Sequence, residues 1–122
     1  MPVIACACPV CSSRDPRDRR FRSSILVESE GTSVLVDAGP EFRLQALGAR
    51  LERLDALLLT HAHADHLHGL DDVRSLSRKA ALPVYGNEEA LSEARERFSY
   101  AFRAGQEGGG KPRLALLPPP PE

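Results

Sequence analysis

The chain has 122 residues, 42% hydrophobic and 27% charged, the proportions of one soluble globular domain or part of one. Its formal net charge of −1 excludes a long-range pull toward nucleic acid or an anionic membrane. No apolar run approaches a membrane span, and the start MPVIACACPVC lacks the charged lead and apolar core of a secretion signal. Cys6, Cys8 and Cys11 are odd in number and too tightly spaced for a paired disulfide framework, so a reducing, cytoplasmic setting is expected.

Residues 1–23 read as irregular, punctuated by Pro2, Pro9 and Pro16. The run from Arg14 to Arg22 carries five arginines against Asp15 and Asp18. It reads first as a solvated loop and second as a patch that attracts phosphate. Ile25-Leu26-Val27 and Ser33 to Val36 flank a polar, Gly-containing turn, the pattern of a β-hairpin. Pro40 and Glu41 open a short helix that Gly48 is placed to close. Ala56 to Leu59 is a continuous apolar run and predicts a strand buried on both faces. A helix is expected from Asp71-Asp72 to about Lys79, with acids early and bases late as the helix dipole prefers. Pro83-Val84-Tyr85 predicts a further strand. Glu88 to Phe102 predicts one helix with Leu91, Ala94, Phe98, Ala101 and Phe102 on its apolar face and Glu93 paired with Arg97. The stretch AGQEGGGKPR reads as a flexible loop, followed by a brief apolar run and four prolines. Strands alternating with helices make the fold class α/β.

All four histidines lie between positions 61 and 68. His61, His63, Asp65 and His66 directly follow the apolar strand, at the end where α/β sheets place their sites. In extended backbone, side chains two apart share a side, so His61 and His63 converge and Asp65 can join them, with Asp65 and His66 serving a neighbouring point. Imidazole nitrogen and carboxylate oxygen are the donors that zinc and similar borderline metals take. His68 reads as a residue beside the site rather than a ligand.

THAHADH resembles the T-H-x-H-x-D-H signature of the metallo-β-lactamase superfamily, and VLVDAGP resembles its earlier motif, in which an Asp at a strand end supports the ligands from behind. Asp37 is the matching residue. The N-terminal Cys-x-Cys-x-x-Cys, together with HADHLHGLDDVR and GGGKPRL, is similar to the PhnP-like branch of cyclic-phosphate phosphodiesterases; the PQQ-synthesis protein PqqB is similar in having both the Cys and His features. The resemblance implies a four-layer αββα sandwich, of which this chain is the N-terminal half. It implies two divalent metals, zinc or manganese, bridged by a hydroxide that attacks a cyclic or small phosphodiester. His61 and His63 would hold the first metal and Asp65 and His66 the second, with Asp65 also positioning the hydroxide and shuttling its proton. Cys6, Cys8 and Cys11 would hold a structural zinc.

The resemblance places further ligands in a later part of the domain, and no histidine follows His68. The expected organisation is therefore one incomplete domain over 1–122, with a Cys-rich metal-binding segment at 1–23, sheet and helices at 24–117 and a Pro-rich tail at 118–122. The expected partner is a small phosphodiester, with no membrane and no strong nucleic-acid signal, and a homodimer is possible because a lone sheet exposes an apolar face. The competing expectations are a non-catalytic metal-binding fragment and another role on the same fold, such as that of PqqB.

Overall fold

In the computed structural model, which describes residues 1–104 and 110–120, the regular structure begins with the hairpin. β1 (Ile25–Ser29) and β2 (Thr32–Val36) pair antiparallel, from Ile25 opposite Val36 to Ser29 opposite Thr32. Glu30 and Gly31 make the turn at φ +48° and +78°; positive φ at both central residues is what lets a two-residue turn follow the strands' right-handed twist. The chain then alternates through α1 (Phe42–Gly48), β3 (Ala56–Leu59), α2 (Ala64–Leu67), a 3-10 helix over Leu70–Ser75, β4 (Leu82–Gly86), α3 (Glu88–Arg97), α4 (Ser99–Phe102) and β5 (Leu114–Leu117). The sheet order is β1-β2-β3-β4-β5, with β2 to β5 parallel. This is the α/β class expected.

Register explains where the core sits. Leu26, Leu35, Leu57, Val84 and Leu116 form one row across all five strands. Leu57 and Val84 in that row are fully buried and cluster with Phe42, Leu67, Leu70, Val73, Ala90, Ala94 and Phe98 from the helical segments. Each of the Leu, Val and Phe side chains contributes about 1.5–3 kcal/mol by leaving water. The adjacent row, Ile25, Val36, Leu58, Tyr85 and Leu117, points the other way, because side chains alternate along a strand. The helices lie against one face only. β3 is therefore not buried on both faces as expected: Leu58 is 38% exposed between buried Leu57 and Leu59.

Three helix expectations are corrected as well. The helix expected from Asp71 begins instead at Ala64, pauses at His68-Gly69 and resumes as a 3-10 helix ending at Ser75, short of Lys79. The pause exists because Gly69 N–H turns inward to donate to the Ala38 carbonyl at 2.8 Å. The helix expected over 88–102 breaks at Phe98 (φ −107°, ψ 32°), whose ring is buried. Asn87 caps its start by accepting from Ala90 N–H at 2.8 Å, and Glu93 pairs with Arg97 at 2.6 Å as expected. α1 begins after Glu41, but the left-handed residue that ends its run is Arg50 (φ +53°), not Gly48. Residues 1–23 are irregular apart from a 3-10 turn over Pro16–Asp18. Much of the expected glycine-rich loop, at 105–109, and the end of the tail, at 121–122, lie outside the described residues.

Candidate metal centre

The centre is assembled from two loops at the C-terminal ends of neighbouring parallel strands. Asp37 follows β2 in the left-handed region (φ +60°) and donates its N–H to Leu58 O at 2.9 Å. Asp tolerates this backbone better than most residues. From there its carboxylate, 4% exposed, turns under the loop after β3. Asp37 Oδ1 accepts from Thr60 N–H at 2.9 Å, and Oδ2 accepts from Thr60 Oγ1–H and faces His66 Nδ1, both at 2.7 Å.

These contacts fix two imidazole tautomers. The Thr60 hydroxyl has one proton and gives it to Asp37, so at 2.9 Å it accepts from His61 Nδ1–H. His66 Nδ1 faces an acceptor-only carboxylate and carries a proton too. Both rings are therefore engaged through Nδ1, which leaves Nε2 as the atom each would offer a metal.

Two glycines make the loops fit. Ala38 N–H donates to His66 O, and Gly69 N–H donates to Ala38 O, each at 2.8 Å. A Cβ on Gly39 would stand 2.2 Å from Asp65 O, and one on Gly69 would stand 2.1 Å from Gly39 O. No side chain fits between backbones this close.

The His61 ring lies 4.6 Å from that of His63 and 4.1 Å from that of His66, centroid to centroid. Asp65 is not in extended register with His61 and His63; it sits on α2. From there its Oδ2 is 3.5 Å from His66 Nε2. Two donors on one tetrahedral ion, each roughly 2.1 Å from it, stand about 3.4 Å apart, so this pair matches one ion's ligand edge. The donor set of imidazole nitrogen and carboxylate oxygen fits zinc or manganese. His68 turns away and packs edge-on to Phe98 at 6.3 Å.

A cavity of about 190 Å³ opens beside His61 and His63, walled by α3 residues Glu89, Glu93 and Arg97 and by its cap, Asn87. The spacing of Glu93 and Arg97 predicts only their pairing, and no role for Thr60 follows from composition or periodicity. The signal for Thr60 was its place directly before His61; the α3 wall carried none.

At the other end of the described chain, Cys6, Cys8 and Cys11 bring their sulfurs within 4.8 Å of one another, the one such ligand group among the described residues. Cys11 N–H lies 3.4 Å from Cys8 Sγ, and that donor, followed by the Cys11 and Cys6 thiols, lowers the Cys8 thiol to about 7. Cys11 receives the Val3 N–H at 3.3 Å, which pulls it down, but the Cys6 and Cys8 thiols and partial burial leave it raised. The basic run is partly committed: Arg17 pairs with Asp15 at 2.6 Å, and Arg22 pairs with Glu41 beside the Asp37 loop.

The family model described as the beta-lactamase superfamily domain matches residues 32–117, which hold both the Asp37 loop and the histidine loop. The chain belongs to the metallo-β-lactamase superfamily. Within it, the chain is similar to a diphosphatase of the PhnP family of known crystal structure, at 40% identity and a TM-score of 0.83, over 96% of this chain and 44% of that one. This supports the PhnP-like resemblance read from the Cys and His motifs. An octanoyltransferase of Porphyromonas gingivalis is 44% identical over 104 residues, 84% of this chain and 21% of that protein. A ribonuclease Z of Bradyrhizobium diazoefficiens is 43% identical over 61 residues, 48% of this chain and 20% of that protein. The chain thus spans less than half the length of each. No helix among the described residues is long and apolar enough to cross a membrane.

Proposed function

We propose that this superfamily member contributes the first half of a divalent-metal centre to a hydrolase acting on phosphoester bonds, most specifically a small or cyclic phosphodiester. The observation that carries the reading is the shared orientation of two imidazoles: Asp37 and Thr60 engage His66 and His61 at Nδ1, and Asp65 Oδ2 lies 3.5 Å from His66 Nε2, a spacing compatible with two ligands of one ion. The named activities of the similar proteins, a diphosphatase and a ribonuclease Z, support phosphoester chemistry.

In this reading His61 and His63 hold one divalent ion and Asp65 and His66 a second, with zinc or manganese as the metal. An ion so held supplies Lewis acidity and lowers the pKa of water toward about 7. The chain's own residues do the rest. Asp37 keeps the His66 proton on Nδ1, and Thr60 does the same for His61. Asp65, with a 51% exposed side chain, is the carboxylate free to hold and pass a proton at the open side of the centre. Cys6, Cys8 and Cys11 hold a separate structural zinc, whose fourth ligand lies elsewhere. The cytoplasm, with its thiol-reducing poise, is the setting that suits three clustered free cysteines.

One observation favours a second reading, a metal-binding unit without turnover. The four His and Asp donors of this segment are fewer than two catalytic ions need. Hydrolysis of bis(p-nitrophenyl) phosphate with added manganese, compared between the parent and His63→Ala, separates the two. Metal-dependent turnover lost in the variant supports the hydrolase. No turnover with metal still bound supports the second reading, and turnover kept in His63→Ala overturns the assignment of His63.

A further inference from the structure

The backbone that carries His61 and His63 is tied down at three points. Thr60 N–H is held by Asp37 on the sheet side. His63 O accepts from His66 and Leu67 N–H at 3.0 and 3.1 Å, joining the loop to α2. The residue between the two histidines, Ala62, has its carbonyl held from the opposite side: Arg97 Nη1 donates to Ala62 O at 2.7 Å, across 35 residues of sequence. The Arg97 guanidinium is itself fixed, with Nη2 2.6 Å from Glu93 Oε2 one turn back on α3. Both side chains line the cavity beside His61 and His63.

We propose that Arg97 is a positioning residue for the metal ligands, holding the His61-Ala62-His63 backbone through the Ala62 carbonyl, with Glu93 as its anchor and charge partner. The inference rests on the metal-centre reading given above. Two physical points carry it. First, a planar fork donates to the carbonyl through one nitrogen and to the carboxylate through the other in a fixed geometry, whereas an ammonium is a point donor on a flexible stem. Second, an unpaired cation this near two imidazoles would oppose an incoming dication. Glu93 cancels that charge, so the pair fixes geometry without repelling the metal. A surface pair at these exposures, 37% and 40%, adds little to folding. A role in ligand placement therefore separates cleanly from a role in stability.

The test is binding of manganese(II) alone, titrated by electron paramagnetic resonance, with thermal unfolding measured in parallel. Manganese prefers oxygen and nitrogen donors over thiolates, so the cysteine trio does not compete. Arg97→Ala is expected to raise the manganese Kd by about 10–100-fold, as loss of a ligand-orienting partner does, while the unfolding midpoint stays close to the parent's. Arg97→Lys recovers part of the affinity, and Glu93→Gln weakens binding in the same direction. Should Arg97→Ala fail to fold, Arg97→Met, which keeps a stem of similar length and loses the fork, is read by the same criterion. A Kd within twofold of the parent overturns the inference and leaves the metal centre standing. A parent protein that takes up no manganese overturns the metal centre, and this inference with it.

Discussion

Asp37 Oδ2 lies 2.7 Å from His66 Nδ1, across 29 residues of sequence, and this contact joins the two motifs of the chain into one centre. The carboxylate is buried and serves Thr60 as well, so it acts on fold and ligand geometry together. Asp37→Ala takes the acceptor from the Thr60 N–H and the His66 Nδ1–H, both in part-buried contacts, and is expected to lower the unfolding midpoint. Asp37→Asn is the sharper variant. Asn tolerates positive φ, so the backbone survives. Its amide then donates where Asp accepted, drawing the His66 proton to Nε2. Metal affinity is expected to fall 10–100-fold with a smaller change in unfolding midpoint; nitrogen-15 shifts of the His66 ring report the tautomer directly.

The two close-approach glycines give a steric prediction. Gly39→Ala and Gly69→Ala each place a methyl about 2 Å from a backbone carbonyl, with no flexible side chain to yield. Overpacking of this kind costs about 1–3 kcal/mol or more. Both variants are expected to lower the thermal midpoint seen by circular dichroism. Gly48→Ala, where a Cβ meets nothing within 4 Å, leaves it unchanged or raises it, because Ala is the better helix former.

The cysteine trio gives a pH prediction. The Cys8 thiol is lowered to about 7, chiefly by the Cys11 N–H, while Cys11 is raised. The thiolate is the nucleophile, so Cys8 is expected to be alkylated by iodoacetamide with a midpoint near pH 7 and Cys11 only at higher pH. Peptide-resolved mass spectrometry gives both profiles. Identical midpoints at the two positions would count against the arrangement of N–H donors.

The open sheet face predicts association. Ile25, Leu58 and Leu117 are 59%, 38% and 36% exposed in one row. The total accessible surface, 8484 Å², exceeds the roughly 6,500 Å² of a folded monomer of this mass, to which the exposed N-terminal segment also contributes. An apolar face left open in this way favours self-association of the chain by itself. The 122-residue chain is expected to self-associate with rising concentration in analytical ultracentrifugation and to bind anilinonaphthalene sulfonate, and Leu58→Lys reduces both.

How much of this was legible in the sequence depends on the range of the interactions. Alternation over 25–36 reveals the hairpin because both strands and their turn are local. The spacing from His61 to His66 reveals a metal-type donor set for the same reason. The Leu58 exposure was not legible: a continuous apolar run looks the same whether its second face is covered by protein or left open. The early start of α2 was hidden because Gly69, a helix breaker by composition, is there to admit the Ala38 loop. The Phe98 break and the Arg97 contact to Ala62 are tertiary, set by packing of α3 against the sheet, and no periodicity encodes them. The motif resemblance points to Asp37, but its positive φ and its grip on Thr60 are set by the packing of the β2 and β3 loops against each other.

The metal centre itself is tested most directly by metal content. The protein, loaded with zinc and desalted, is assayed by mass spectrometry of the metal alongside a His61→Ala/His66→Ala variant and a Cys6→Ser/Cys8→Ser variant. Zinc is expected to fall in each variant by a separate share of the parent's stoichiometry, leaving the other site loaded. A His61→Ala/His66→Ala protein that retains all of the parent's zinc would show that the histidines hold none, and the proposed centre would fall.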